Sequence, residues 1–173
     1  MVIDSYSPEL TDRLINIFKS TLIRFYHGND IIGTEIGAAT KNIMGIVAGV
    51  ADGLNMPALK GALMARGSRE IARLIAALGG NELSAYGLCH LGDYEATLFS
   101  QHSHNRKWGE LFVKGEKFTK LAEGVMTARA VSSLAKQIGV SVPLTDAVNK
   151  MIDGASADQL LTELFERPLK SEF

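Results

Sequence analysis

Lys41 stands in a row of glycines. Gly33, Gly37, Gly45, Gly49 and Gly53 follow a four-residue step, and Lys41 fills the one vacant place in it. Residues four apart on a helix are neighbours, drifting by about 40° per step, so the row forms a slowly winding stripe. Each glycine in a helix interior costs about 1 kcal/mol relative to alanine. Five cost on the order of 4–5 kcal/mol, comparable to a small domain's whole stability. Something must offset that: close approach by a neighbouring helix, or by a ligand. Lys41 therefore has two readings. It snorkels to water from a helix buried by small-residue packing, or it lies at the floor of a shallow groove as a catalytic or anion-binding group. In the second case partial desolvation lowers its pKa and suits it to proton transfer near neutral pH.

A second constellation lies in the polar middle of the chain. Asp93 follows Gly92 and has the chemistry to pair with a lysine or accept a hydroxyl hydrogen bond. Equally, it reads as the N-cap of a helix beginning at Tyr94. Ser103-His104-Asn105-Arg106 is a donor-rich run able to hold an anionic oxygen. Ser103 also reads as the N-cap of a helix over 105–113. A metal reading would combine Cys89, His90, His102 and His104, but their spacings match no zinc template. No metal site is expected.

The elements that must position these groups are helical. Pro8 to Leu22 has an N-cap at Ser7, proline at the first position, and helical spacing of Leu10, Leu14, Ile17, Phe18 and Leu22. A short extended piece follows over Ile23 to Tyr26, then the turn-like His27-Gly28-Asn29-Asp30. Asp30 caps a helix from Ile31 to about Leu54. Pro57 opens another, running to Leu78 and stopped by Gly79-Gly80. The span 81–115 is irregular with short helices. Further helices are predicted over Glu123–Ile138, from Pro143 to near Gly154, and over Ala157–Glu166. The fold class is all-α: one domain over residues 1–173, with roughly six to eight helices.

Composition sets outer bounds. The chain has 173 residues, 46% hydrophobic and 21% charged, with a net charge of −1. That fits one globular domain and excludes a disordered chain. A near-neutral charge without a basic run argues against nucleic acid as a partner. One cysteine excludes an internal disulfide and suits a reducing compartment. No signal peptide is apparent, and the most apolar stretch is broken by Glu35, Lys41 and Asp52, too short to span a bilayer. A cytoplasmic protein with no membrane partner is expected. The chain has no G-x-G-x-x-G after a strand and no G-x-x-x-x-G-K-[ST], hence no recognisable dinucleotide or phosphate loop.

An ordered series of motifs resembles the C-terminal half of the NAD(P)-dependent glycerol-3-phosphate dehydrogenases. Gly33-Thr34-Glu35-Ile36-Gly37-Ala38-Ala39-Thr40-Lys41-Asn42-Ile43 is similar to the family's lysine-bearing helix. Arg66-Gly67 with Glu70 and Arg73 resembles its next helix, and Gly87-Leu88 with Leu91-Gly92-Asp93 its aspartate loop. Ser100, Ser103-His104-Asn105-Arg106 and Gly109 resemble its serine-arginine-asparagine substrate motif. Glu123-Gly124, Val142-Pro143-Leu144 and the closing Arg167-Pro168-Leu169-Lys170 also fit.

The resemblance implies a helical substrate domain of the 6-phosphogluconate dehydrogenase C-terminal type. A Rossmann domain, in cis or in trans and absent from this chain, would carry most of the NAD or NADP. The implied reaction interconverts dihydroxyacetone phosphate and sn-glycerol 3-phosphate, feeding glycerophospholipid synthesis. Lys41 matches the catalytic lysine. Asp93, Ser103, His104 and Asn105, with Lys41, match substrate-binding positions. His104, Leu121 and Glu123 match positions that touch the cofactor. The isolated chain is expected to be inactive. Helices left uncovered by the missing half allow a homodimer.

Three departures stand out. His104 replaces the family's arginine, exchanging a permanent charge and forked donor for one or two donors and partial charge. Cys89-His90 replaces a small pair, and the turn Asn55-Met56-Pro57 is shorter than the family's glycine-rich loop. The first keeps open a related 2-ketone or 3-hydroxy-acid reductase. The missing nucleotide loop keeps open a non-catalytic binding or dimerisation module. For a phosphorylated substrate, Arg106 or Lys107 would supply the lost phosphate contact only if the loop turned differently.

Overall fold

Helix α2 (Ile31–Gly53) is the post around which most of the helices pack. A computed structural model describes residues 1–168 and 171, with nothing stated of the Glu95 side chain. Leu169 and Lys170, matched to the family's closing motif, lie outside the described residues. The other elements, in chain order, are β1 (Val2–Ile3), α1 (Pro8–Phe18), β2 (Tyr26–His27), α3 (Leu59–Ala77), α4 (Asp93–Phe99), α5 (His104–Val113), α6 (Glu123–Gln137), α7 (Pro143–Ile152) and α8 (Ala157–Phe165). A 3-10 turn (Glu82–Tyr86) and a π-helical turn (Leu88–Gly92) fill the interval between α3 and α4. The expected all-α class is the observed one, apart from the parallel β1–β2 pair.

The cost of the glycine row is offset by neighbouring backbone. A Cβ on Gly49 would lie 1.9 Å from the Arg106 carbonyl oxygen. Reciprocally, a Cβ on Gly109 of α5 would lie 2.2 Å from the Ile46 carbonyl oxygen. Main chain thus meets main chain across α2 and α5, as only glycine permits. Gly45 faces Asn105, Gly53 faces Val113, and Gly37 faces His90. Ile43, Ile46, Leu74, Tyr94, Leu98 and Val148 fill the core around this contact.

Two carboxylates fasten the ends of long helices. Asp30 caps α2 through the Gly33 N–H (3.1 Å) and also accepts from the Ser84 hydroxyl (2.6 Å). Glu70, 1% exposed on α3, accepts the N–H groups of Leu144 (2.7 Å) and Thr145 (3.0 Å) at the start of α7. Burial pushes the Glu70 carboxyl above its ordinary range, against the pull of these bonds. Of the residues flanking Glu70 in its motif, Gly67 makes room for Met44 and Arg73 donates to the Ser141 carbonyl (3.1 Å).

The differences from expectation lie mainly at the N-terminus. Helix α1 stops at Phe18 rather than Leu22, because Lys19 is already extended (ψ 139). Leu10, Ile17 and Phe18 remain exposed, so little packing rewards a further turn. The extended piece expected over Ile23–Tyr26 is Tyr26–His27, set by pairing with Val2–Ile3: the Tyr26 N–H donates to the Met1 carbonyl (2.9 Å) and the Gly28 N–H to the Ile3 carbonyl (2.7 Å). A two-residue strand is too short to show alternation. Helix α3 begins at Leu59 because Pro57 and Ala58 form a turn. Among the described residues no helix is long and apolar enough to cross a membrane.

Candidate active site

Lys41 sits where two contacts along α2 part. One turn earlier, Gly37 meets the π-helical turn; one turn later, Gly45 meets Asn105 and Thr97. Between them the Lys41 ammonium reaches the Asp93 carboxylate and forms an ion pair with it. Lys41 retains 27% of its side-chain exposure and Asp93 45%, so the pair faces solvent without being freely solvated. The Lys41 ammonium turns to Asp93 instead of reaching out to bulk water.

Asp93 is not the N-cap of its helix. It is the first residue of α4, Gly92 occupies the cap, and no side chain caps the helix among the described residues. That frees the Asp93 carboxylate for Lys41. The Thr97 hydroxyl donates back to the Asp93 carbonyl (3.0 Å), with its methyl on the Gly45 side. Thr97 thus lies between Asp93 and Asn105, against α2. Its place one helical turn after Asp93 was the signal available in the sequence.

Ser103 does take the capping role, accepting from the Arg106 N–H (3.2 Å) at the start of α5. Asn105, 8% exposed, is a bridge between three helices. It donates to Asn42 Oδ1 (2.9 Å) and accepts from the Gly124 N–H (2.9 Å). Asn42 in turn donates to Glu123 (3.3 Å). Asn42, next to Lys41, was not assigned a role from sequence, although it lies in the quoted motif. The wall beyond Lys41 is therefore Asn42, Asn105 and Glu123, with Gly124 close against Asn42 because it has no Cβ.

His104 lies at the exposed rim. Its Nδ1 is 3.2 Å from the Leu121 carbonyl oxygen, and its ring meets Phe118 edge-on at 5.8 Å. Leu121 is 69% exposed, leaving apolar surface free beside His104 and Glu123. Arg106 does not substitute for a rim arginine. Its guanidinium turns inward to Asp52 (2.6 Å) and the Ser100 carbonyl (2.9 Å). Lys107 leans on Glu110 (3.3 Å). The fallback in which either residue takes over the phosphate contact is thus corrected by the Asp52 and Glu110 pairings.

His90 is wholly buried behind the pair. Its Nδ1 is 2.9 Å from the Gly37 carbonyl oxygen, its ring packs on Tyr94 at 4.9 Å, and its Nε2 has no hydrogen-bond partner among the described residues. Burial pulls its pKa down to about 4, so it is neutral near pH 7. Cys89 turns the other way, donating to the Ser84 carbonyl (3.1 Å), and burial pushes its thiol up. With His104 directed to Leu121, these residues do not converge on one point.

Comparison with known proteins gives a consistent picture. A family profile described as NAD-dependent glycerol-3-phosphate dehydrogenase C-terminus matches residues 30–162. A glycerol-3-phosphate dehydrogenase (NAD(P)+) of Clostridium botulinum strain Alaska E43 is 38% identical, the match covering 99% of this chain and 55% of the relative. One from Chlorobium limicola is 36% identical, over 99% and 54%. The crystal structure of glycerol-3-phosphate dehydrogenase from Coxiella burnetii superposes with a TM-score of 0.88 at 29% identity, covering 96% of this chain and 54% of that one. The Plasmodium falciparum enzyme shares the fold, with a TM-score of 0.79 at 18% identity over 98% and 52%. The chain spans about half the length of the curated relatives it matches.

Proposed function

Because the chain belongs to the NAD-dependent glycerol-3-phosphate dehydrogenase C-terminal family, we propose that it forms the substrate side of a site reducing dihydroxyacetone phosphate to sn-glycerol 3-phosphate, and the reverse. The observation that carries this reading is the Lys41–Asp93 pair, with Asn42, Thr97 and Asn105 around it. The nucleotide would be NAD or NADP, held mainly by a Rossmann half. Its reduced nicotinamide, when bound, supplies the hydride to the substrate's C2 carbon.

The residues of this chain do the rest. As C2 gains the hydride, its oxygen becomes an alkoxide. Lys41 Nζ gives that oxygen a proton; in the reverse direction the amine takes it back. The ammonium also stabilises the developing charge, an effect strengthened when a second half closes over the site and excludes water. Asp93 orients the ammonium. Ser103 and Asn105 line the approach to the phosphate end, with His104 at the rim. The exposed Leu121 side chain fits an edge contact with a flat ring, and Glu123 a polar contact beside it. These residues fit a rim for the cofactor, not a complete pocket.

The test is to assay this chain alone and joined to a Rossmann half from a curated relative. Ketone reduction is followed as NADH or NADPH consumption. Turnover of dihydroxyacetone phosphate only in the joined protein is the expected result. A preference for a 2-keto acid would favour the related-reductase reading. No turnover with any ketone in a folded joined protein would favour a binding module. Turnover by the isolated chain would contradict the division of the site.

A further inference from the structure

A second concave surface lies on the other side of the π-helical turn. It is a cleft of about 450 Å³ between α3 and the turns that follow it. Its walls include Met64, Arg66, Ser68, Arg69, Tyr86 and Leu91. None of Lys41, Asp93, Thr97 or Asn105 lines it. The volume falls within the roughly 300–1,000 Å³ of small-molecule sites.

The chemistry of the lining is uneven in charge. Arg66 and Arg69 are three residues apart on α3, so their side chains leave the helix as neighbours. Lys60 and Arg106 sit on Asp52, Lys41 on Asp93 and Arg73 on the Ser141 carbonyl, whereas Arg66 is exposed and Arg69 half-buried. Arg66 makes no hydrogen bond or ion pair among the described residues. Arg69 reaches Glu82, at 4.0 Å. The Tyr86 hydroxyl, on the facing wall, is also without a hydrogen-bond partner there. Ser68, 2% exposed, lies in the floor with its hydroxyl 3.4 Å from the Tyr94 hydroxyl. Met64 and Leu91 make the remaining surface apolar.

We propose that this cleft binds a phosphate group across Arg66 and Arg69, as inorganic phosphate or as the head of a small phosphomonoester. Two guanidinium forks supply parallel donors matched to phosphate oxygens. Their combined charge, trimmed by Glu82, suits a group carrying about −1.5 to −2 near pH 7. Tyr86 supplies a further donor. Met64 and Leu91 accommodate a short carbon body, which is where the two sources differ. Leu91 lines the cleft, so its methyl groups report occupancy.

The experiment uses the 173-residue chain with labelled arginine Nε and leucine methyl groups. It is titrated with sodium phosphate and, separately, with sn-glycerol 3-phosphate, at constant ionic strength set by chloride. The expected result is a saturable shift of the Arg66 and Arg69 signals together with the Leu91 methyl. Arg66→Gln with Arg69→Gln should weaken binding by about tenfold or more, the scale of lost charge-assisted bonds. Lys41→Ala should change it less than about twofold, as expected for sites without shared partners. Tighter binding of the ester identifies the carbon body as recognised; equal binding identifies the phosphate alone. Shifts that never saturate, or that persist in the double variant with its other signals unchanged, overturn the proposal. Loss of binding in Lys41→Ala alone overturns it too, by locating the anion at the Lys41–Asp93 pair.

Discussion

Three side chains carry distinct burdens at the proposed site. Lys41 is held between two glycine contacts and paired with Asp93. His104 sits where the resemblance leads one to expect arginine, and its ring is tied to the Leu121 carbonyl. His104→Arg, in the protein joined to a Rossmann half, is expected to lower the KM for dihydroxyacetone phosphate by several-fold, with kcat little changed. An unchanged or higher KM would favour a different ligand. His90 gives a prediction in pH. Its folded pKa, about 4, lies below the unfolded 6.5. The neutral ring therefore contributes stability that is fully present above about pH 6.5 and lost as pH falls toward 4. The loss is about 2 kcal/mol by about pH 5. Glu70, shifted upward by burial, acts with the opposite sign. The measurement is thus the difference between wild type and His90→Asn in urea unfolding, which should shrink as pH drops from about 7 to 5. A constant difference would contradict the burial of a neutral imidazole.

At the scale of elements, the glycine row is a packing device that also frames a site. Its spacing was legible in the sequence, as were the helix caps at Ser7, Asp30 and Ser103. Which body approached the row was not, because α5 is more than fifty residues downstream and a glycine stripe looks the same under a helix or a ligand. Gly49→Ala is expected to destabilise the fold by about 3 kcal/mol, since the added methyl would meet backbone that cannot rotate away. Near-native stability in thermal or urea unfolding would mean that α2 and α5 part easily. The Asp93 cap reading failed for a related reason. Local spacing favours a cap, whereas the carboxylate is drawn by a lysine on another helix. Glu70 is a second long-range tie. Glu70→Ala leaves the first N–H groups of α7 without their buried acceptor and should cost about 3 kcal/mol. A loss below about 0.5 kcal/mol would contradict the tie.

For the molecule as a whole, the family motifs are spread over the chain but answer two different needs. Lys41 pairs with Asp93, and Asn105 bonds to Asn42, the residue after Lys41. Gly67, Glu70, Arg73, Gly124 and Leu144 instead fix helices to one another. Sequence order alone did not separate these groups; contact does. The β1–β2 pair and the exposed face of α1 were the least legible part, because short strands and a weakly packed helix carry little periodic signal. The central claim is that Lys41 is the proton donor of a ketone reductase completed by a Rossmann half. The most direct measurement is kcat for dihydroxyacetone phosphate reduction by the joined protein with Lys41→Ala. A fall of at least about 100-fold, with the fold intact, is the result this account predicts. Turnover within a few-fold of wild type would contradict it.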